Sequence, residues 1–321
     1  YEIHIQAQRC FREIQLLRDL AHENIVKIKF AYTTDGSCDQ LSSVYLATEF
    51  AGLDLRKQLG DESEAAHKFS LRSFQSMICE LLRALMYLNS ANVIHRDLKP
   101  DNLAVSANGK LTLLDFGIAR AKDDNEPLTK GPGNEHYRAI ETISFGESEV
   151  KIYNEKADMW PIGAILSDMI TNRILFEPGP SEGHLHKNPI LKAITICGPI
   201  PEIVIREEVD YEPSKNYLRD KSSTAVRINF IDHFLETGRP WLRDEIVRKR
   251  EALANFIDRT LKFDHRQRMS VDEALAHPFL GDVREPAREV TASHSISDYG
   301  EHQVEEWKQL IWDVIKETPV R

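Results

Sequence analysis

Cysteine is scarce in this 321-residue sequence, and the four present, Cys10, Cys38, Cys79 and Cys197, fall in no paired or C-x-x-C spacing. That pattern excludes a disulfide framework and a cysteine-ligated zinc site, and it reads as reduced thiols in a cytoplasmic or nuclear protein. No apolar run approaches the ~20 residues of a membrane-spanning helix, and no segment resembles a signal peptide. Basic residues are the minority: 41 Lys and Arg against 51 Asp and Glu give a net charge of −10. The chain as a whole is therefore expected to bind neither nucleic acid nor a membrane surface. A G-x-x-x-x-G-K phosphate loop is missing, and so are internal repeats and low-complexity tracts. His184 and His186 have no Cys, Asp or Glu cluster beside them at ligand spacing, so they read as part of an exposed loop and not as a metal site.

What the chain does hold is 41% hydrophobic and 29% charged residues, enough to fill one large core or two lobes. Its most informative stretch is Ile94-His95-Arg96-Asp97-Leu98-Lys99-Pro100-Asp101-Asn102-Leu103, with Leu114-Asp115-Phe116-Gly117 close behind. Asp97 offers a carboxylate to accept or orient the proton of an attacking hydroxyl. Lys99, two residues on and so on the same side of an extended loop, offers a positive charge to a transferring phosphate. Asn102 and Asp115 are hard oxygen ligands, which suit Mg2+ and not zinc or copper. Between them, the apolar runs Asn102 to Val105 and Leu111 to Leu114 are split by Asn108-Gly109, a hairpin signal that brings the two ligands together. The constellation suits phosphoryl transfer, whose loose transition state asks a protein mainly to position the partners and neutralise spreading charge.

Apolar periodicity predicts a helix over 5–20 from Cys10, Ile14 and Leu17, and strands over 25–32 and 43–48 split by an Asp35-Gly36-Ser37 turn. Phe74, Ile78, Leu81, Leu82, Leu85 and Leu88 predict a long helix over 70–88. Another helix, starting near Lys156 and apolar on nearly every side through Leu166, is expected at the centre of the larger lobe. At the C-terminus Val304, Trp307, Ile311 and Val314 make a helical stripe that requires burial.

Together Glu13, His95 to Asn102, Asp115 to Gly117, Glu141, Asp158 and Arg268 resemble the eukaryotic protein kinase signature set. More narrowly the chain resembles mitogen-activated protein kinases, nearest their stress-activated branch. The motifs are Ala7-Gln8-Arg9-Cys10-Phe11-Arg12-Glu13, His22-Glu23-Asn24-Ile25, Val44-Tyr45-Leu46-Ala47-Thr48, Asn102-Leu103-Ala104-Val105, Asp115 to Arg120 and Glu306-Trp307-Lys308-Gln309-Leu310-Ile311. The resemblance implies an α+β, bilobal fold. A partial small lobe would span 1–52, and a helical large lobe 53–280 would carry an activation segment at 115–141 and an insert at about 176–241. A tail over 281–321 would pack back on the small lobe. It further implies ATP and Mg2+, transfer to Ser/Thr hydroxyls of protein substrates, an upstream activating kinase and a monomer. Glu13 would pair with the nucleotide-gripping lysine, and Thr48, Glu49, Ala51, Asp54, Ala104 and Leu114 would line the nucleotide site. His95, Phe116, Asp158 and the Glu141–Arg268 pair would be structural; breaking a buried pair of this kind costs on the order of 3–5 kcal/mol.

Departures from the family carry their own expectations. Its glycine-rich loop and lysine lie upstream of the first helix and do not occur in this sequence, which opens at Tyr1. The chain is thus expected to be N-terminally incomplete and inactive as it stands, with a catalytically impaired scaffold as the alternative. The Thr-x-Tyr switch reads Thr129-Lys130-Gly131, keeping the threonine and losing the tyrosine. Arg9, Arg12, Arg96 and Arg120 occupy the positions of a phosphothreonine pocket, so phosphorylation of Thr129 is expected to switch the protein. Asn134 replaces a threonine, Glu135 an arginine, and Pro132 and His136 alter the pocket for a substrate proline, so proline-directed specificity is not implied. The docking patches, Glu285 to Glu289 and Ala107-Asn108, have lost carboxylates, which implies weak binding of basic docking peptides.

Overall fold

The computed structural model describes residues 2–60, 69–122, 135–143, 154–177, 189–209, 211–297, 299–300 and 302–317. Residues rich in Gln, Arg, Glu and Leu, with neither Gly nor Pro, form α1 (Glu2–Asp19). Its apolar positions divide between two clusters: Phe11 and Ile14 join a small one, while Leu16, Leu17 and Leu20 join the main core. At about 100° per residue, Glu13 lies on the side opposite Phe11, towards the interlobe cleft. β1 (Ile28–Tyr32) pairs antiparallel with β2 (Tyr45–Thr48), Ile28 facing Thr48 and Tyr32 facing Tyr45. Both strands are shorter than the apolar runs predict. Ile25 instead makes a parallel bridge to Leu113, and the N–H groups of Ser42 and Ser43 are drawn to the Asp35 carboxylate, at 2.8 and 3.1 Å.

The crossing between lobes is fixed by a close approach. β3 (Leu53–Asp54) pairs with β5 (Leu103–Val105), which pairs in turn with β6 (Leu111–Leu113). Gly52, at φ 124°, passes so near β5 that a Cβ there would sit 2.3 Å from the Val105 carbonyl oxygen, so the position admits only glycine. β3 runs into α2 (Leu55–Gly60). α3 (Leu71–Ser90) opens on a Ser70 capping box, Ser73 N–H donating to the Ser70 hydroxyl at 3.0 Å. Its predicted stripe, Phe74 through Leu88, is buried throughout. Asn92, left-handed at φ 65°, turns the chain into β4 (Val93–Ile94), which pairs with β7 (Arg120–Ala121).

α4 (Met159–Thr171), led in by a 3-10 turn at Glu155–Asp158, is buried along its whole length, as its composition predicts. The region expected as an insert is largely helical where described: α5 (Pro189–Cys197), α6 (Glu202–Glu208), α7 (Glu212–Ser222) and α8 (Phe230–Thr237). α9 (Arg243–Arg248), α10 (Arg250–Thr260) and α11 (Val271–Leu275) complete the large lobe. α12 (Val304–Glu317) then returns to the small lobe, where Trp307, Ile311 and Val314 bury against Phe11, Ile14, Ala31 and Leu41. The tail thus supplies a packed layer of the small-lobe core.

That dependence predicts a large cost for Trp307→Ala. The ring is 1% exposed and touches Phe11 at a centroid distance of 5.5 Å, so truncation should cost about 3–5 kcal/mol, read by urea denaturation of the purified chain. A loss below about 1 kcal/mol would show that the tail is dispensable to the small lobe.

Candidate active site

The catalytic stretch is held from beneath by one buried acid. The Asp158 carboxylate accepts the backbone N–H of His95 at 2.8 Å and of Arg96 at 3.0 Å. These bonds stabilise Arg96 in a left-handed conformation, φ 73°, which a non-glycine residue adopts at a cost of about 1–3 kcal/mol. His95 closes the loop on the following segment. Its Nδ1 accepts from Asp97 N–H at 3.3 Å, leaving Nε2–H to donate to the Leu114 carbonyl at 3.0 Å, and its ring meets the edge of Phe116 at 5.0 Å.

Above this frame the chemical groups converge. Lys99 Nζ lies 2.5 Å from Asp97 Oδ2, and Asn102 Nδ2 donates to both the carbonyl and Oδ2 of Asp97 at 2.8 Å. With its amide nitrogen so committed, Asn102 has its Oδ1 left to accept or to ligate. Asn102 itself lies in a 3-10 turn just before β5, and its carbonyl accepts from Leu114 N–H at 2.9 Å. The two expected ligands therefore flank the mouth of the hairpin instead of ending its strands as the apolar runs imply. Asp115, at φ 59°, turns an exposed carboxylate toward the cleft and accepts from Gly117 N–H at 3.2 Å.

Glu13, Asp97, Lys99 and Asp115 line one open cleft of about 560 Å³, with Arg9 and Cys10 at its α1 side. Burial, and then the nearby Asp115 charge, push the Glu13 carboxyl up to about 7, although the Phe116 N–H bonded to it pulls the other way. No lysine or arginine among the described residues pairs with Glu13. Burial, and secondarily Glu13, push the Cys10 thiol up to about 11, so it is not a nucleophile at neutral pH. No cluster of three His, Cys, Asp or Glu side chains able to hold a metal occurs among the described residues. Two oxygen ligands are nonetheless what Mg2+ takes from a protein when phosphate oxygens and water supply the rest, and Asn102 and Asp115 fit that pattern.

The other expected site residues fall as follows. Thr48 ends β2 and is exposed, Glu49 donates its N–H to the Lys27 carbonyl at 2.9 Å, and Ala51 is half-buried. Ala104 is buried opposite Asp54 in the β3–β5 register, and Leu114 is half-buried. Asp54 is already engaged, accepting from Lys57 N–H at 2.8 Å and pairing with Lys57 Nζ at 2.7 Å. Of the four arginines, Arg96 and Arg120 are brought near each other by the β4–β7 pair and by the Arg96 bond to the Ile118 carbonyl at 3.3 Å. Arg9 borders the cleft and Arg12 is buried on α1. Thr129, Lys130 and Gly131, Pro132, Asn134, His184 and His186 lie outside the described residues. Arg268 meets Glu141 in a two-pronged pair, 2.6 and 3.1 Å, and also donates to the carbonyls of Lys156 and Lys262, so this buried pair is fully satisfied.

Sequence reading missed a second buried carboxylate. Asp168 in α4 accepts from the Tyr137 hydroxyl and from Arg56. The available signal was one acid standing in an otherwise apolar helix.

The displaced Glu13 titration has a measurable consequence. Its ordinary value is 4.5 and its folded value about 7, so between those limits the folded chain keeps a proton that the unfolded chain releases. Its favourable contribution is full below about pH 4.5 and is lost as the pH rises to about 7. Glu13→Gln should remove this slope and make the chain more stable than the parent above pH 7, measured by denaturant unfolding from pH 5 to 8. A parental slope in the variant would refute the assignment.

Comparison with known proteins agrees with this geometry. Residues 2–280 match the protein kinase domain family. The chain is 30% identical over 324 residues to human mitogen-activated protein kinase 13, covering all of this chain and 80% of that protein. It is 30% identical over 313 residues to mitogen-activated protein kinase 14 of Xenopus laevis, covering 97% of this chain and 78% of the relative. It is 31% identical over 315 residues to mitogen-activated protein kinase pmk-3 of Caenorhabditis elegans, covering 96% of this chain and 62% of the relative. With the protein kinase domain spanning most of its length, the chain belongs to the mitogen-activated protein kinase family, as a divergent member of its stress-activated branch.

Proposed function

We propose that the chain is built to transfer the γ-phosphoryl group of ATP to Ser/Thr hydroxyls of protein substrates, with Asp97 and Lys99 as the catalytic pair. The observation that carries this reading is the bonded set Asp97, Lys99 and Asn102 facing Asp115 across one cleft. Asp97 Oδ2 would orient the substrate hydroxyl and take up its proton as the oxygen attacks phosphorus. Lys99 would balance charge on the phosphoryl oxygens as the bond to the leaving diphosphate breaks. Mg2+, when bound by Asn102 Oδ1 and Asp115, supplies further neutralisation of phosphate charge. Thr48, Glu49, Ala51, Asp54, Ala104 and Leu114 remain the proposed nucleotide contacts, Asp54 on release from Lys57.

Thr129 is the proposed switch, supported by the arginines kept at Arg9, Arg12, Arg96 and Arg120. A phosphate there would add about −1.5 to −2 charges for guanidinium groups on α1 and beside the catalytic loop. Basic docking peptides are proposed to bind weakly. The acids left on the tail and beside it are already paired, Glu289 with Arg284 at 2.7 Å and Glu23 with Arg288 at 2.8 Å, so a peptide would have to displace arginines of the chain itself. A second reading, an impaired kinase that acts as a scaffold, is supported by two replacements in the sequence: Gly131 stands where the family's switch carries a tyrosine, and Asn134 stands in place of a threonine. A cytoplasmic or nuclear site of action is the proposal consistent with its four free cysteines.

Three assays test these readings. With ATP, Mg2+ and a protein acceptor, Asp97→Asn should lower phosphate incorporation by about 10²–10⁴-fold with an unaltered melting curve, and Thr129→Ala should abolish activation by an upstream kinase. Equal incorporation by parent and Asp97→Asn would reject the catalytic assignment, whereas nucleotide binding without any incorporation would favour the scaffold. In a calorimetric titration a basic docking peptide should bind with a Kd weaker than about 1 μM, equivalent to about −8.2 kcal/mol; tighter binding would overturn the docking reading.

A further inference from the structure

We propose that Arg56 is a positioning residue for the protein substrate: by joining Tyr137 to Asp168 it clamps residues 135–143, the end of the activation segment, against the large-lobe core beside Asp97. The proposal rests on the phosphoryl-transfer reading.

Asp168 sits on α4 with no exposed side-chain surface. Its Oδ1 accepts the Leu175 N–H at 3.0 Å, and its Oδ2 accepts both the Tyr137 hydroxyl and an Arg56 N–H, the latter at 3.0 Å. A carboxylate buried this deeply is costly without a counter-charge, and Arg56 supplies it. The arginine comes from far away in sequence, 81 residues from Tyr137 and 112 from Asp168. It enters from α2, at the rim of the large lobe, with 27% of its side chain exposed.

One guanidinium thereby meets three distant side chains. It donates to Tyr137, pairs with Asp168, lies 3.9 Å from the half-exposed Asp101 of the catalytic stretch, and has its carbon 6.0 Å from the centre of the Tyr137 ring. The planar fork of arginine suits several simultaneous acceptors, as a lysine does not. Tyr137 then lines a small cavity, about 10 Å³, together with Asp97, Leu98 and Arg138. A shift of the tyrosine is therefore felt at the wall of the catalytic loop, on the side where a substrate hydroxyl must reach Asp97. Among the described residues Arg56 makes no hydrogen bond or ion pair to a proposed nucleotide or magnesium ligand, so its effect should fall on the acceptor and spare ATP. Removing it would leave Tyr137 tied to α4 through Asp168 without the arginine, and Asp168 buried without the cation now beside it.

The test uses the full chain with Arg56→Gln, Arg56→Lys and Tyr137→Phe. Two readouts are taken, amide hydrogen exchange and the KM values for acceptor peptide and for ATP. Arg56→Gln should speed exchange over 135–143 by about tenfold or more, the loss of one charge-assisted bond, while α3 exchanges as in the parent. It should raise the acceptor KM by a similar factor with ATP KM unchanged. Arg56→Lys, which keeps the charge, should recover part of both effects, and Tyr137→Phe should reproduce the faster exchange. Unaltered exchange over 135–143 in Arg56→Gln, or exchange raised equally in α3, overturns the proposal, as does a rise in ATP KM matching that of the acceptor. If the parent phosphorylates no acceptor, the phosphoryl-transfer reading fails on that measurement, and the exchange comparison still decides whether Arg56 holds the segment.

Discussion

A buried carboxylate carries the catalytic loop. Asp158 spends both oxygens on backbone N–H groups of His95 and Arg96, and each later contact assumes that loop is in place. His95 reaches Leu114 only because its backbone is fixed, and Asn102 meets Asp97 only because the loop between them is tight. Burial pushes the Asp158 carboxyl upward, and the N–H groups of His95 and Arg96 pull the other way. Both carboxylate oxygens are hydrogen-bonded where they are buried, which offsets the cost of taking them out of water.

The same solution recurs along α4. Asp158 stands at its entrance and serves the catalytic loop, while Asp168 stands near its exit and serves residues 135–143 through Tyr137 and Arg56. Glu141, at the end of that segment, is received by Arg268. An apolar rod thus presents acids at two levels, each tied to a loop that has little core of its own. Loops fastened to a buried helix in this way are held by polar geometry, whereas the helix is held by packing. This separates the parts that must keep their shape from those that must be set in place.

Much of this was legible in the sequence because the informative residues are local. The stretch from His95 to Asn102, the hairpin after it and the buried helix near Lys156 each declare themselves within a dozen or so residues, and the tail stripe does so by its spacing. What was not legible depends on pairs brought together by the fold. Arg56 reads as one more charge at the start of a surface helix until Tyr137 and Asp168 arrive beside it. The tail acids read as a reduced docking patch, yet the pairing of Glu23 with Arg288, 265 residues apart, needs the turn after α1 to lie against the start of the tail. The strand at 25–32 was overextended because Ile25 and Val26, apolar as a strand requires, are used instead to bond Leu113 and dock on the catalytic hairpin.

Gly52 gives the crossing between lobes a mechanical character. With its backbone pressed against Val105, the segment after the hinge is fastened to the hairpin that follows Asn102. The hairpin is fastened on its other side as well, where Ile25 and Val26 meet Leu113. Both crossings between the lobes therefore end on one small hairpin, and a side chain placed at residue 52 would shift β5 and, with it, Asn102 at its head.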